Sequence, residues 1–255
     1  MIPLRDTIRS ATTPWVNYAL IATNVAVFLG QIHVQRDLEE TAAREVMDEV
    51  HQKGVPVSTY RREIAEAIQV RSEELYAEWM KEWGLVPGEV ASKGGAGEFV
   101  TFLTCMFLHA NWLHLLGNML YLYIFGDNVE DRLGHARYLA YYLSCGLGAA
   151  AAQFGIAPGS DIPMVGASGA IAGALGGYLV LFPHAKVLTI VPIFYFVQLI
   201  EVPAPVFLVF WFIFQNLAPA ALSSPELGGV AYWAHIGGFA AGAALCWAFR
   251  SRLLE

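Results

Sequence analysis

The chain has 255 residues, of which 56% are hydrophobic and only 15% are charged. This composition excludes an ordinary water-soluble domain and predicts a protein that crosses a membrane several times. The net charge of −7, without a basic stripe, argues against nucleic acid as a partner. The three cysteines lie in apolar segments without metal-ligand spacing, so neither a disulfide framework nor a zinc cluster is expected.

The apolar segments predict an all-α membrane protein with six transmembrane helices. Arg5 and Arg9 precede the first segment as in a signal peptide, but that segment is longer than a typical h-region and has no clear cleavage pattern. It is therefore expected to remain as a span. The six predicted spans are residues 15–32, 99–125, 136–156, 168–182, 204–221 and 230–249. Residues 187–200, interrupted by Pro192, are expected to form an extended or interfacial connection, with a longer fifth helix as the alternative.

Lysine and arginine residues predict the orientation of the chain. They occur at every second turn and are absent from the short connections 157–167 and 222–229. Because short cytoplasmic loops carry the positive charge, both termini are expected to be cytoplasmic. The loop of residues 35–97 then faces outward, with two helical stretches, 37–52 and 58–83. It is interpreted either as a solvated helical insertion that covers the protein's own outer surface or as an interfacial, substrate-recruiting element.

Polar residues of three predicted helices fall at one depth in the membrane. Ser168 and His235 each begin a 15-residue stretch that ends at the predicted inner end of their helix, roughly 22 Å at about 1.5 Å per residue. His114 in the second helix lies at roughly 20 Å, with Asn118 one turn lower. Since the hydrocarbon core is about 30 Å thick, all four lie below the outer surface. Polar side chains at this depth must find partners or line water, so their convergence indicates a functional site.

The residue types at this depth are those of nucleophilic catalysis. A serine hydroxyl is a poor nucleophile until a base such as histidine takes its proton. Gly238 and Gly242 form a GxxxG face on the sixth helix, beside His235, which would allow the fourth and sixth helices to approach closely. His114 and Asn118 share one helix face and could donate hydrogen bonds to an oxyanion, together with the Ser168 N–H.

Each of these features also has an ordinary structural explanation. A lone serine at a helix start is usually an N-cap, an isolated GxxxG face usually serves packing, and a lone buried histidine is often a structural partner. His109 and His114 are five residues apart and do not share a helix face. No glutamate follows His109 as in a zinc-protease helix, so no metal is expected. The segment from Gly166 to Ala170 does not match GxSxG, which excludes a soluble-hydrolase nucleophile elbow.

Four motifs, HANWLHLLGNM, NVEDRLG, GASG and AHIGGFAAG, resemble those of the rhomboid intramembrane serine proteases, specifically the bacterial six-span type. The resemblance runs from Trp15 to about Arg250 and is poor over residues 35–98. It implies a rhomboid-like six-helix bundle with a mostly helical outer loop insertion, as a protease domain of residues 15–255 behind a cytoplasmic segment, residues 1–14. It implies hydrolysis of peptide bonds in or next to transmembrane segments of other proteins, through a Ser-His dyad and an acyl-enzyme.

The resemblance also assigns roles to individual residues. It implies Ser168 as nucleophile and His235 as general base, without a cofactor. His114, Asn118 and Gly166 would bind the oxyanion or substrate, and His109 would support the site. Structural roles are implied for Gly238 and Gly242 and for Glu130 and Arg132, which match a turn that braces helices two and three. The implied partners are transmembrane protein substrates and the lipid bilayer, and the implied location is a bacterial inner or cell membrane.

The chain departs from the family pattern at two places. It has Glu98-Phe99 where many members have a Trp-Arg pair, and Ala172 where some members stack an aromatic residue on the histidine. No aspartate suits a third catalytic position, so a dyad is expected. Two alternatives stay open: a catalytically inactive rhomboid-like protein that binds membrane clients, and a transporter or channel. The second is disfavoured because the spans hold no acidic residues and no paired broken helices.

Overall fold

The computed structural model describes residues 1–193, 196–222 and 230–253, so most of the predicted connection 222–229 lies outside the described residues. The α-helices within them are α1 (Trp15–Gln52), α2 (Arg61–Trp83), α3 (Pro87–Lys93), α4 (Ala96–Thr104), α5 (Trp112–Tyr121), α6 (Asp127–Leu133), α7 (His135–Ile156), α8 (Ser168–Leu181), α9 (Ala204–Phe212), α10 (Ala218–Leu222) and α11 (Tyr232–Leu253). A 3₁₀ turn, Cys105–Phe107, follows α4, and π-helical turns at Leu122–Gly126 and Ile213–Leu217 join α5 to α6 and α9 to α10. The strands are β1 (Ile2–Asp6), β2 (Lys186–Ile193) and β3 (Phe196–Pro203).

The helices form a membrane-type bundle, as the composition predicts. The helices α1, α7 and the segment Ala204–Leu222 are each long and apolar enough to cross a membrane. The bent pair Ala96–Phe107 and Trp112–Leu133 meets the same criterion jointly. The helix α8 is apolar but has only 14 residues, and α11 occupies the sixth predicted span. Each of the six predicted positions is thus occupied by helix, and the fold is a helical membrane bundle.

The first span and the first inserted helix are one continuous helix, which corrects the predicted break between them. The helix α1 runs for 38 residues, because residues 33–36 contain neither glycine nor proline to end it. The helix α2 folds back along α1. Arg71 Nε lies 2.7 Å from Glu45 Oε2, and Gln31 Nε2 lies 3.2 Å from the Tyr76 hydroxyl. The insertion is therefore a helical hairpin built on an extension of the first span.

The predicted second span is also not a single helix. Its two parts are bent by 78° at residues 108–111. Asn111 starts the second part, because its side-chain oxygen accepts a hydrogen bond from the His114 N–H at 2.9 Å. Gln31 satisfies the main chain at the bend: it accepts from the His109 N–H at 2.9 Å and donates to the His109 carbonyl at 3.1 Å. The first span thereby replaces the partners that water would otherwise supply.

A small antiparallel sheet in the order β1-β2-β3 closes one end of the bundle. The strands β2 and β3 form a hairpin, so the expected extended connection is present and the alternative of a longer fifth helix is wrong. The strand β1, which the sequence did not predict, pairs with β2. Asp6 at its end accepts from Asn128 Nδ2 at 2.9 Å and from the Tyr178 hydroxyl. We call this the sheet end of the bundle, and the opposite end, where α8 begins, the site end.

The helix α8 is the centre of the bundle and lies between α7 and α11. Most of its residues are buried. A Cβ atom added at Gly238 would collide with the Gly169 carbonyl oxygen, and one added at Gly242 would collide with the Gly173 carbonyl oxygen. The two helix backbones are therefore in direct contact at both glycines, as the GxxxG pattern predicts.

Glu130 joins three helices near the sheet end. Its carboxylate is fully buried and accepts from the N–H groups of Val16 at 2.9 Å and Asn17 at 2.7 Å. It also contacts His135 Nδ1 at 2.5 Å, at the start of α7. Glu130 on α6 therefore caps α1 as well as bridging to the third span. Arg132 places its guanidinium 5.5 Å from the centre of the Phe182 ring, directly after α8.

Candidate active site

Three helices begin at the site end and bring the predicted residues together. Ser168 is the first residue of α8, His114 lies in the first turn of α5, and His235 lies in the first turn of α11. All three line one cavity of about 550 Å³. Because the N-terminus of a helix carries a partial positive charge and unpaired N–H groups, this arrangement favours an anion in the cavity.

The Ser168 hydroxyl and the His235 ring are within hydrogen-bond distance. Ser168 Oγ lies 2.7 Å from His235 Nε2, across the interface between α8 and α11. The close glycine contacts of these helices set that separation. Both residues are partly exposed to the cavity. In this geometry the imidazole can accept the hydroxyl proton, which is the arrangement that nucleophilic serines require.

Asn216 contacts the other nitrogen of His235 and was not among the residues predicted from the sequence. Its Oδ1 lies 2.6 Å from His235 Nδ1, and the residue is 1% exposed. A signal for it was present, because an amide within a predicted span is a candidate functional residue by default. Its direction toward His235 could not be read from the sequence, since the π-helical turn Ile213–Leu217 changes which side chains of the fifth helical segment face α11.

Gly166 lets the His114 ring approach the segment that precedes Ser168. Its φ is +125°, a conformation that strongly favours glycine. A Cβ atom at this position would lie 2.7 Å from His114 Cε1 and 2.8 Å from His114 Nε2. The Gly166 N–H donates to the Cys105 carbonyl at 2.8 Å, which anchors the segment. The imidazole of His114 thus borders the same cavity wall as Ser168.

Asn118 contributes an unused hydrogen-bond donor to this cavity. The residue lies one turn after His114 on α5 and is 8% exposed. Its Nδ2 has no hydrogen-bond partner in the part of the chain that the structure describes. A buried N–H without a partner is costly unless a ligand uses it. The Asn118 amide is therefore available to an oxygen atom bound beside Ser168.

His109 contacts the His114 ring and does not itself line the cavity. It is fully buried, and neither ring nitrogen has a partner within the described residues. Its ring centre lies 5.1 Å from that of His114, inclined by 65°. Glu130, Arg132, Gly238 and Gly242 lie outside the cavity lining. Across residues 1–193, 196–222 and 230–253, no group of His, Cys, Asp or Glu side chains is arranged to hold a metal ion.

The chain is similar to several known proteins over part of its length. The family model described as the Rhomboid domain matches residues 96–252, more than half of the chain. Rhomboid-like protein 11, chloroplastic, from Arabidopsis thaliana is 43% identical over 72 residues, which cover 28% of this chain and 25% of that protein. Rhomboid protein 1, mitochondrial, from Saccharomyces cerevisiae is 29% identical over 153 residues, or 58% and 41% of the two chains. Rhomboid protease GluP from Bacillus subtilis is 41% identical over 83 residues, or 32% and 16%.

The chain therefore spans less than half the length of each of these curated relatives. The family match includes the second to sixth helical segments that surround the cavity, except for the last residue of α11. Together with the helical membrane fold, this match shows that the chain belongs to the rhomboid family.

Proposed function

We propose that the protein is an intramembrane serine protease that hydrolyses peptide bonds in or next to transmembrane segments of other membrane proteins. The observation that carries this proposal is the 2.7 Å separation of Ser168 Oγ and His235 Nε2 in a cavity within the membrane bundle. The unpartnered Asn118 amide and the His114 ring at the same cavity add hydrogen-bond donors. Rhomboid protease GluP, one of the similar proteins, is named as a protease.

The first half of the reaction forms an acyl-enzyme. Ser168 Oγ attacks the carbonyl carbon of the scissile peptide bond while His235 Nε2 takes the hydroxyl proton. The carbonyl oxygen becomes an oxyanion, which the Asn118 amide, His114 and the Ser168 N–H stabilise by hydrogen bonds. His235 then gives its proton to the leaving amine, the C–N bond breaks, and the ester between Ser168 and the acyl group remains.

The second half of the reaction releases the acyl group. A water molecule attacks the ester carbon, and His235 Nε2 takes a proton from that water. The same donors hold the second oxyanion. The ester bond breaks, the proton returns from His235 to Ser168 Oγ, and the product leaves as a carboxylic acid. Water must therefore reach the cavity from the site end of the bundle.

We assign the substrate class from the position of the cavity in the membrane bundle. Because α8 is short, Ser168 at its first residue lies below the predicted outer surface of the membrane. At that depth the neighbours of the protein are lipid and the membrane segments of other proteins. With both termini cytoplasmic, the site end and the helical hairpin of α1 and α2 face the outside of the cell. A multi-pass location in a bacterial cell membrane fits this orientation.

Cleavage of a model substrate tests the proposal. The full chain is reconstituted in proteoliposomes with a membrane protein whose single transmembrane helix contains helix-destabilising residues. Parent protein is expected to cleave it, and Ser168→Ala is expected to be slower by roughly 1,000-fold or more, because the nucleophile is lost. Undiminished cleavage by Ser168→Ala would defeat the proposal. Binding of the substrate without cleavage by the folded parent protein would instead favour the inactive client-binding alternative.

A further inference from the structure

Asn216 lies in a distorted part of the fifth helical segment and is held on two sides. It belongs to the π-helical turn Ile213–Leu217. Pro219 follows it in the sequence within one helical turn. Its Oδ1 lies 2.6 Å from His235 Nδ1, and its Nδ2 lies 3.2 Å from the Trp211 carbonyl oxygen. The side chain therefore bridges its own helix and α11.

The two contacts fix the direction of each hydrogen bond. A main-chain carbonyl oxygen can only accept, so the Trp211 carbonyl requires that Asn216 Nδ2 donates to it. That bond leaves the amide oxygen facing His235, and an amide oxygen also can only accept. His235 Nδ1 must then carry the ring proton. Because a neutral imidazole has a single N–H, Nε2 presents its lone pair to the Ser168 hydroxyl.

We propose that Asn216 is a positioning residue that fixes the tautomer and the ring orientation of His235. This inference rests on the proposed function, because a fixed lone pair on Nε2 matters only if His235 takes the Ser168 proton. During attack the proton moves from Ser168 Oγ to His235 Nε2. The Nδ1–H stays bonded to the Asn216 oxygen, and no proton passes to the amide.

The surroundings of His235 explain why this chain needs such a contact. Ala172, one turn after Ser168, is fully buried and has no ring to lie against the imidazole. Trp211 borders one side of the His235 ring, with ring centres 6.2 Å apart and an inclination of 36°. The Trp211 carbonyl also aligns the Asn216 amide. One turn of the fifth helical segment thus packs the imidazole and holds its Nδ1.

An amide suits this position better than a carboxylate does. Asn216 is 1% exposed, and an ionised side chain buried in a membrane bundle would be costly. The neutral amide selects the tautomer without introducing a charge. A carboxylate at the same position would also accept the hydrogen bond from His235 Nδ1, but its negative charge would favour the protonated imidazole. The amide and the carboxylate are therefore expected to differ in the pH dependence of cleavage.

Two substitutions of Asn216 and a matched control separate positioning from packing. Asn216→Leu keeps most of the volume but removes the acceptor, and Asn216→Asp keeps the acceptor. Asn24→Leu removes another fully buried amide, one that bonds the Leu20 carbonyl at 2.8 Å in α1, away from the cavity. The kcat, the KM and the pH profile of cleavage are measured for each variant in proteoliposomes, beside Ser168→Ala.

The inference predicts distinct results for these variants. Asn216→Leu lowers kcat by about 10- to 100-fold with little change in KM, because the proton transfer and not substrate binding is impaired. Asn216→Asp retains most of the parent kcat and moves the acid limb of the pH profile to higher pH. Asn24→Leu keeps the parent kcat and pH profile.

Three results would overturn the inference. The first is a kcat for Asn216→Leu within about twofold of the parent value. The second is an equal loss in Asn216→Leu and Asn216→Asp, which would indicate packing alone. The third is an unshifted acid limb in Asn216→Asp, which decides the question even if Asn216→Leu does not fold. If Ser168→Ala is inactive in the same assay, these three results contradict only the role of Asn216 and not the proposed protease function. Cleavage by Ser168→Ala would contradict the protease function itself.

Discussion

The environment of Ser168 distinguishes it from other serines of the chain. The hydroxyl groups of Ser72 and Ser92 donate to carbonyl oxygens of their own helices, a local bond that serves only the main chain. Ser168 Oγ instead faces an imidazole nitrogen on another helix at 2.7 Å. A carbonyl oxygen cannot take the hydroxyl proton at neutral pH, and a neutral imidazole can. The partner, rather than the serine itself, therefore makes this position a candidate nucleophile.

Gly166 provides a test of the His114 position. In Gly166→Ala the new Cβ would lie 2.7 Å from His114 Cε1, at a φ of +125°. We expect the ring to move from the cavity wall, a loss of about 10- to 100-fold in kcat and a loss of roughly 1–3 kcal/mol in the free energy of unfolding. Gly155→Ala in α7 serves as control, because no atom lies within 4 Å of the added Cβ. Full activity of Gly166→Ala would show that His114 need not occupy this position.

The sequence predicted residues that line the cavity but missed the residue that contacts His235 Nδ1. Ser168, His235, His114 and Asn118 could be placed at one depth because the height of each could be counted from the inner end of its predicted helix. Asn216 lies within a π-helical turn, where the usual 3.6-residue repeat no longer gives the direction of a side chain. Helix counting therefore could not place it beside His235, and a dyad without a third partner was expected.

At the scale of elements, the contact between α8 and α11 determines the distance between the serine and the histidine. Gly238→Ala would place a Cβ against the Gly169 carbonyl oxygen, one residue from Ser168. Because the obstacle is backbone, the helices must separate, and we expect a destabilisation of about 1–3 kcal/mol together with reduced cleavage. Gly148→Ala in α7 is the control, since its Cβ would meet only the Ala241 side chain at 3.4 Å. Thermal unfolding in detergent measures the stability of Gly238→Ala and of Gly148→Ala. Equal stability of these two variants would disprove the close contact.

The attachment of the sheet to the bundle is expected to depend on pH through Asp6. Burial raises the pKa of Asp6 from 3.8 to about 6, against the opposing effect of the Tyr178 hydrogen bond. The folded chain therefore holds this proton more tightly than the unfolded chain does. Its contribution to stability is present in full below pH 3.8 and is lost as the pH rises through about 6.

Thermal unfolding of the detergent-solubilised protein between pH 4 and pH 7 tests this dependence. The melting temperature of Asp6→Asn is expected to fall less over this range than that of the parent protein, because the amide does not titrate. Asp48→Asn, which removes an exposed carboxylate of α1, is expected to keep the parent slope. Identical slopes for Asp6→Asn and the parent protein would show that Asp6 is not the titrating group.

At the scale of the whole molecule, hydropathy predicted where helices occur but not how they are joined. The six apolar segments each contain helix. The 78° bend in the second segment was missed because residues 108–111 are too few to interrupt an apolar window. The continuous α1 was missed because a change from apolar to charged residues marks a change of surroundings, which need not end a helix. The strand β1 pairs with a segment nearly 190 residues later, and such pairing leaves no local pattern.

The most direct test of the central claim is labelling of the detergent-solubilised protein by a fluorophosphonate, an electrophile that reacts with activated serines. The account predicts that the label is found on Ser168, that Ser168→Ala is not labelled, and that His235→Ala reacts more slowly by about 100- to 10,000-fold, because its base is missing. Labelling of folded His235→Ala at the parent rate, or of a serine other than Ser168, would contradict it.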